Sequence, residues 1–346
     1  MGDSRAKGSR GGQAYHSRPE PATAVSVVGR PALLAARPDL ATHWAEADAL
    51  FPVRVTGSFW SRIDPTDLLD PLARQVLPSA EELNDPGGLD DPVGDAARSP
   101  LPWVVHKYPD RVLILLTKRC HLYCRYCFRR TFDPAEREDP TAEELDAAIA
   151  YARQSGAEEV ILSGGDPLAV RDERLFGVID ALRPSIPVIR IHSRAPITKP
   201  ARVTDTLVRG LVARGPVWMV VHCNHPRELS PEVDASLRRL VRAGVPVLNQ
   251  AVLLRGVNED VEVLAELCRA LVRRGVKPYY LHHPDRVRGA GHFAVSLEEG
   301  MSLYRALRRR LSGVATPRYV IDPPDGRGKL DVERYLADQG PAIGQQ

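Results

Sequence analysis

Arg111-Val-Leu-Ile-Leu-Leu-Thr-Lys-Arg-Cys120-His-Leu-Tyr-Cys124-Arg-Tyr-Cys127 joins a strand-length apolar run directly to a loop that carries three cysteines. The chain beyond it repeats that arrangement. Apolar runs recur at 112–116, 160–162, 188–191, 217–221, 245–254 and 278–281, with amphipathic helical stretches between them such as 141–155, 204–214, 231–243 and 259–274. Gly244 and Gly275 stand where a left-handed residue stops a helix just before the next strand. Strands alternating with helices of this length predict βαβ units and a parallel sheet. A flat doubly wound sheet has the same period, so the placing of polar residues is what favours a barrel. Cys120 to Cys127, Ser163-Gly-Gly-Asp166, His192-Ser-Arg194, His222 to His225 and His282-His-Pro-Asp285 follow successive runs, and Asn249-Gln250 interrupts the fifth. Parallel α/β folds place their chemistry at that end of the strands.

Working outward, four regions are expected. Residues 1–20 mix Gly, Ser, Arg and Lys and read as a disordered basic tail. Residues 21–105 form a helical extension and linker, with helical patterns at 41–51 and 71–77 and Asp70 as an N-cap before Pro71. Residues 106–315 hold the partial barrel, and 316–346 a short C-terminal segment. The chain has 346 residues, 47 Lys+Arg against 44 Asp+Glu, and a formal charge of +3. So balanced a charge exerts no general pull on nucleic acid. No apolar run approaches the roughly 18 residues of a membrane span, and the start of the chain lacks a signal peptide's apolar core, so a cytoplasmic location is expected. Three of the five cysteines fall within one loop, which suits metal chemistry better than a disulfide framework.

Three thiolates at this spacing can wrap a [4Fe–4S] cluster from one loop and leave one of its four irons open to a small molecule. The alternative is a zinc site of three cysteines and a histidine, His121 or His106. In Ser163-Gly164-Gly165-Asp166 the two glycines allow a close backbone approach to a ligand, and Asp166 offers an acceptor for an ammonium.

The CxxxCxxC spacing with an aromatic before the last cysteine, followed by Ser-Gly-Gly-Asp, resembles the radical S-adenosylmethionine (SAM) superfamily. His106-Lys-Tyr-Pro-Asp-Arg111, Cys127-Phe-Arg-Arg130, Ile191-His-Ser-Arg194, His222-Cys-Asn-His-Pro226, the 249–258 stretch and Pro278-Tyr-Tyr-Leu281 are similar to the lysine 2,3-aminomutase family, over about residues 60–330. The resemblance implies a partial (β/α)6 TIM-like barrel with an N-terminal helical extension and a short C-terminal segment. It also implies a 5′-deoxyadenosyl radical made from SAM at the reduced cluster, and migration of an amino group from Cα to Cβ on pyridoxal phosphate (PLP).

Site residues follow from the same resemblance. Cys120, Cys124 and Cys127 hold the cluster; Ser163, Gly164, Gly165, Asp166, Ser193, Arg194, His222 and Gln250 line the SAM site. Lys329, at the end of Asp322-Pro-Pro-Asp-Gly-Arg-Gly-Lys329, carries PLP, and Lys107 with Arg111 takes its phosphate. The family commonly has four glycines before that lysine, and here Asp325 and Arg327 interrupt them. Arg129 pairs with the substrate α-carboxylate, while Asp285 and Asp322 bracket a side-chain cation, which selects a basic amino acid and repels glutamate. L-Lysine is the expected substrate, with arginine, or β-lysine formation for elongation factor P, as alternatives. A flavodoxin- or ferredoxin-like electron donor is expected, and a homo-oligomer is left open. Two other classes stay open: a PLP-independent radical SAM enzyme and a non-catalytic iron–sulfur or zinc protein.

Overall fold

The computed structural model describes residues 27–131 and 137–339, so the tail expected at 1–20 lies outside the described residues. Nine strands pair in chain order: β1 (Val104–Tyr108), β2 (Arg111–Thr117), β3 (Glu159–Gly164), β4 (Val188–His192), β5 (Val217–Val221), β6 (Val247–Val252), β7 (Lys277–His282), β8 (Arg318–Ile321) and β9 (Leu330–Asp331). From β2 to β8 every pairing is parallel, and β1 and β9 add antiparallel edges. Right-handed crossovers that always advance in one direction put every helix on the same face of the sheet. A doubly wound sheet would reverse its strand order midway. Chain order thus settles what the period left open: a curled, barrel-type sheet that does not close.

Six helices make the crossovers: α1 (Ala142–Gln154), α2 (Asp172–Leu182), α3 (Asp205–Ala213), α4 (Pro231–Arg242), α5 (Val261–Val272) and α6 (Leu297–Arg310). Their starts are written locally. Thr141 with Glu144 and Ser296 with Glu299 form capping boxes, and Ser230 and Asp260 cap α4 and α5. Ile114, Leu116, Val160, Leu162, Ile189, Ile191 and Met219 anchor the main core between sheet and helices. Six βα units match the expected barrel, but a seventh parallel strand, β8, lies beyond the boundary expected at 315. Only four residues long and opened by Arg318, it has too short a pattern to stand out in the sequence.

The N-terminal extension is built of short helices, among them Arg30–Ala36, Trp44–Leu50 and Pro71–Arg74. Asp70 caps the last as expected, accepting from the N–H groups of Leu72 and Ala73 at 2.8 Å each. Leu33, Trp44, Phe59, Leu72 and Val76 form a second core that takes in Leu122, and Cys124 packs on it. The extension is therefore the back wall of the cysteine loop. Among the described residues no helix is long and apolar enough to cross a membrane.

Candidate active site

A cavity of about 590 Å³ opens at the C-terminal ends of the parallel strands, and every site residue named from the sequence lines it except Ser193. The three cysteines stand at one end and Lys329 at the other.

The cysteine loop is braced before any metal is considered. Arg125, between Cys124 and Cys127, is fully buried; its Nε lies 2.9 Å and its terminal nitrogen 2.5 Å from the Glu82 carboxylate, and it also donates to the Phe51 and Ala47 carbonyls. Arg130 joins the same carboxylate at 2.6 Å. Burial alone would raise the Glu82 carboxyl pKa, but the two guanidinium groups outweigh it and hold the group ionised. Arg194 donates to Cys124 Sγ at 2.7 Å while Gln75 and Glu228 hold its other terminal nitrogen at 2.7 and 2.9 Å.

Burial, with the neighbouring Cys124 sulfur, pushes the Cys127 thiol up to about 11. Burial, Asp166 and the other two sulfurs also push Cys120 up. Three thiolates here need positive charge among them, which an iron–sulfur cluster supplies. Among the described residues the zinc alternative lacks its fourth ligand. His121 Nε2 is bonded to the Leu168 carbonyl at 3.2 Å and His106 Nδ1 to the Tyr151 hydroxyl at 2.7 Å, and neither ring lines the cavity. Among the described residues no three His, Cys, Asp or Glu side chains converge as for a single ion.

In Ser163-Gly-Gly-Asp166 the glycines serve the protein first. A Cβ on Gly164 (φ +126°) would lie 2.2 Å from the Thr117 carbonyl oxygen, and one on Gly165 2.4 Å from those of Lys118 and Arg119. The N–H groups of Gly165 and Asp166 donate to Thr117 and Arg119 at 2.7 and 2.8 Å. The stretch leading into Cys120 makes this close approach, and both glycines also line the cavity. Asp166 lines the cavity as well. Its carboxylate accepts from the N–H groups of Leu168, Arg194 and Ala195 and from the Ser193 hydroxyl, which uses all four acceptor positions. Asp166 braces the turn after β4, and Ser193 belongs to that brace. His222 and Gln250 do come together, Gln250 Nε2 lying 2.6 Å from His222 Nε2. Burial, with Arg194 nearby, lowers His222 to about 3, so its ring is neutral.

At the other end Asp322 follows β8 directly and Lys329 leads into β9. Lys329 Nζ is 3.3 Å from Asp322 Oδ2, and its N–H donates to the Tyr108 hydroxyl, bridging the seam between β1 and β9. Asp285 stands close to Asp322. Burial and that second carboxylate raise it to about 7, against the pull of Lys329 and Lys107. The interrupted glycine run has a clear structural logic. Gly326 and Gly328 take φ of +75° and +80°, whereas Asp325 and Arg327 are exposed and bond to each other. Glycine is kept where the backbone needs it.

Lys107 and Arg111, expected to act together on a phosphate, have separate partners. Lys107 Nζ lies 3.0 Å from Asp95 and 3.6 Å from Asp322, while Arg111 stacks 3.5 Å above the Tyr108 ring and pairs with Asp110 at 2.9 Å. Arg129 reaches Asp95 at 2.8 Å. The sequence reading missed Asp95, Tyr108, Gln75 and Glu228, all partners of functional groups far along the chain. It placed His192 and His282 at strand ends without a role, and both line the cavity.

Residues 114–268 match the radical SAM superfamily model. The chain is similar to the L-lysine 2,3-aminomutase of Clostridium subterminale, 42% identical over 290 residues that cover 82% of this chain and 70% of that one. It is 39% identical over 292 residues to the Fusobacterium nucleatum enzyme of the same name, covering 83% and 69%. With the glutamate 2,3-aminomutase of Clostridioides difficile it shares 33% identity over 299 residues, covering 85% and 71%. These likenesses bring a [4Fe–4S] cluster, SAM and PLP as cofactors. The three thiols with Arg194 fit the first, the glycine-flanked cavity beside them the second, and Lys329 within its cluster of charged groups the third. From the braced cysteine loop to Lys329, the chain is an isomerase of the lysine 2,3-aminomutase family, within the radical SAM superfamily.

Proposed function

We propose that the enzyme moves the α-amino group of a basic L-amino acid, L-lysine first among them, to Cβ. The observation that carries this reading is the meeting of Asp285, Asp322 and Lys329 in one cavity. Two carboxylates favour a side-chain cation, and glutamate would bring a third negative group against them. Arg129 presents a guanidinium to the substrate α-carboxylate. Asp322 is paired with the Lys329 ammonium in the free enzyme. When Lys329 turns to the cofactor, Asp322 is released for the ammonium of the substrate, so one cation replaces another.

When bound, the cluster and SAM supply a hydrogen-abstracting radical, and PLP supplies the carrier for the migrating nitrogen. The chain's own part is to orient and to exclude water. Leu122, Tyr126, Phe128, Val252, Leu254 and Phe293 wall the space between the two ends. Neutral His222 adds no charge there, and Arg194 holds Cys124 by its sulfur. Lys107 and Arg111 take the cofactor phosphate, each giving up a carboxylate partner to do so. A flavodoxin- or ferredoxin-like donor reduces the cluster, which calls for the reducing cytoplasm.

The test is anaerobic incubation with SAM, PLP, a reductant and lysine, arginine, ornithine or glutamate, with mass detection of β-amino products. β-Lysine is the expected product, and β-arginine alone would reassign the substrate within the basic class. Turnover of glutamate but of no basic amino acid would overturn the two-carboxylate reading.

A further inference from the structure

Asp95 lies in the N-terminal extension, yet it ties together the anion-binding end of the cavity. Its turn is shaped locally. The Asp91 carboxylate accepts from the N–H groups of Asp95 and Ala96 at 2.9 Å each. Gly94 has a φ of +68° and lies so near the C-terminal loop that a Cβ there would come within 2.9 Å of the Pro324 carbonyl oxygen. The turn therefore rests on the loop that leads to Lys329. From it one oxygen of Asp95 meets Arg129 at 2.8 Å and the other meets Lys107 at 3.0 Å. All three side chains are largely buried, with 21%, 14% and 6% of their side-chain surface exposed.

Under the proposed function those two cations serve the substrate α-carboxylate and the cofactor phosphate, and the role of Asp95 rests on that assignment. One carboxylate occupies both, one oxygen each. Among the described residues Arg129 has no other ion pair, and Lys107 has as a further ion pair only the longer one with Asp322, beside a hydrogen bond to the Val93 carbonyl. We propose that Asp95 is an internal anion standing in for the anionic groups of both ligands, and that cofactor phosphate and substrate carboxylate bind by displacing it. A bridging carboxylate that loses Lys107 to phosphate keeps half its pairing, so it holds Arg129 less well against a second incoming anion. Binding of either ligand thereby favours the other, and by linkage the effect is reciprocal. While the site is empty, Asp95 keeps two like charges together among largely buried side chains.

The test uses full-length protein carrying its cluster but stripped of PLP, titrated with PLP or with pyridoxal, which lacks the phosphate, while the absorbance of the lysine-bound cofactor is followed. Asp95→Asn is expected to bind PLP about tenfold more tightly than wild type, to leave pyridoxal affinity unchanged, and to weaken the enhancement of lysine binding by PLP. Asp95→Glu, which keeps the charge, is expected to stay near wild type and guards against a folding defect in the amide variant. Equal or weaker PLP binding by Asp95→Asn, with Asp95→Glu restoring the wild-type value, would overturn the proposal and make Asp95 a positioning residue for its two cations. Failure of wild type to take up PLP or pyridoxal would instead overturn the assignment of Lys329, and this proposal with it.

Discussion

At the cysteine end of the cavity, one short loop supplies all three thiols, and Glu82 with two guanidinium groups locks it from behind. At the lysine end, Asp95, Lys107, Arg129, Asp322 and Lys329 are drawn from the N-terminal extension, the first strands with the loop that follows them, and the C-terminal loop, and meet as pairs of opposite charge, with Asp285 set beside Asp322. The first arrangement is rigid because breaking it leaves a buried charge without a partner. The second is exchangeable, because each pair can be replaced by a ligand group of the same sign. Under the proposed function the contrast follows the chemistry asked of each end: a resident cluster needs a fixed frame, while cofactor and substrate must be able to bind.

Removing one end while sparing the other gives the largest expected effect. Lys329→Ala is expected to cut aminomutase activity by about 10⁴-fold or more and to abolish borohydride fixation of PLP, while iron and sulfide content stay at wild-type levels. Loss of iron in that variant would mean that the two ends are not independent. Glu82→Ala attacks the frame instead. It is expected to cost about 3–5 kcal/mol of stability, read by denaturant unfolding of the cluster-free protein, and to lower the iron retained after reconstitution.

Asp322→Asn sharpens the exchangeable side. Removing one partner of a buried charge pair costs about 2–5 kcal/mol, so KM for lysine is expected to rise at least about 30-fold while cluster content is unchanged. The smallest effect is on pH dependence. Asp285 titrates near 7, raised by burial and by Asp322. Its ionised form is the one that attracts a cation, so lysine binding is expected to strengthen as pH rises through about 7 and to weaken below it. In Asp322→Asn the repelling neighbour is gone, and that transition should move to lower pH. A profile flat across this range would remove Asp285 from the cation site.

Much of this was legible in the chain before folding. The alternation of apolar runs and helices predicts the six βα units, Asp70 marks a helix start, and the cysteine spacing points to the cluster loop. Strands β1, β8 and β9 were not legible, since short edge strands owe their existence to a neighbour's hydrogen bonds more than to their own pattern. The same limit applies to the partners. Glu82 lies 43 residues from Arg125 and Glu228 34 from Arg194, distances at which no local periodicity reports a contact.

What the sequence by itself determined is the kind of chemistry: side-chain types at strand ends, and a three-thiol loop whose spacing suits an iron–sulfur cluster. Only the tertiary structure decided how those groups are used. It gave the glycines of 164–165 to the backbone before the cysteines, consumed Asp166 in a brace, and set Asp95 across two cations. The physical reason is that local propensity and hydrophobic period act over a few residues. Charge pairing and close approach act across space, and chain-order curling of the sheet brings together residues as far apart as Asp95 and Arg129, or Lys107 and Lys329.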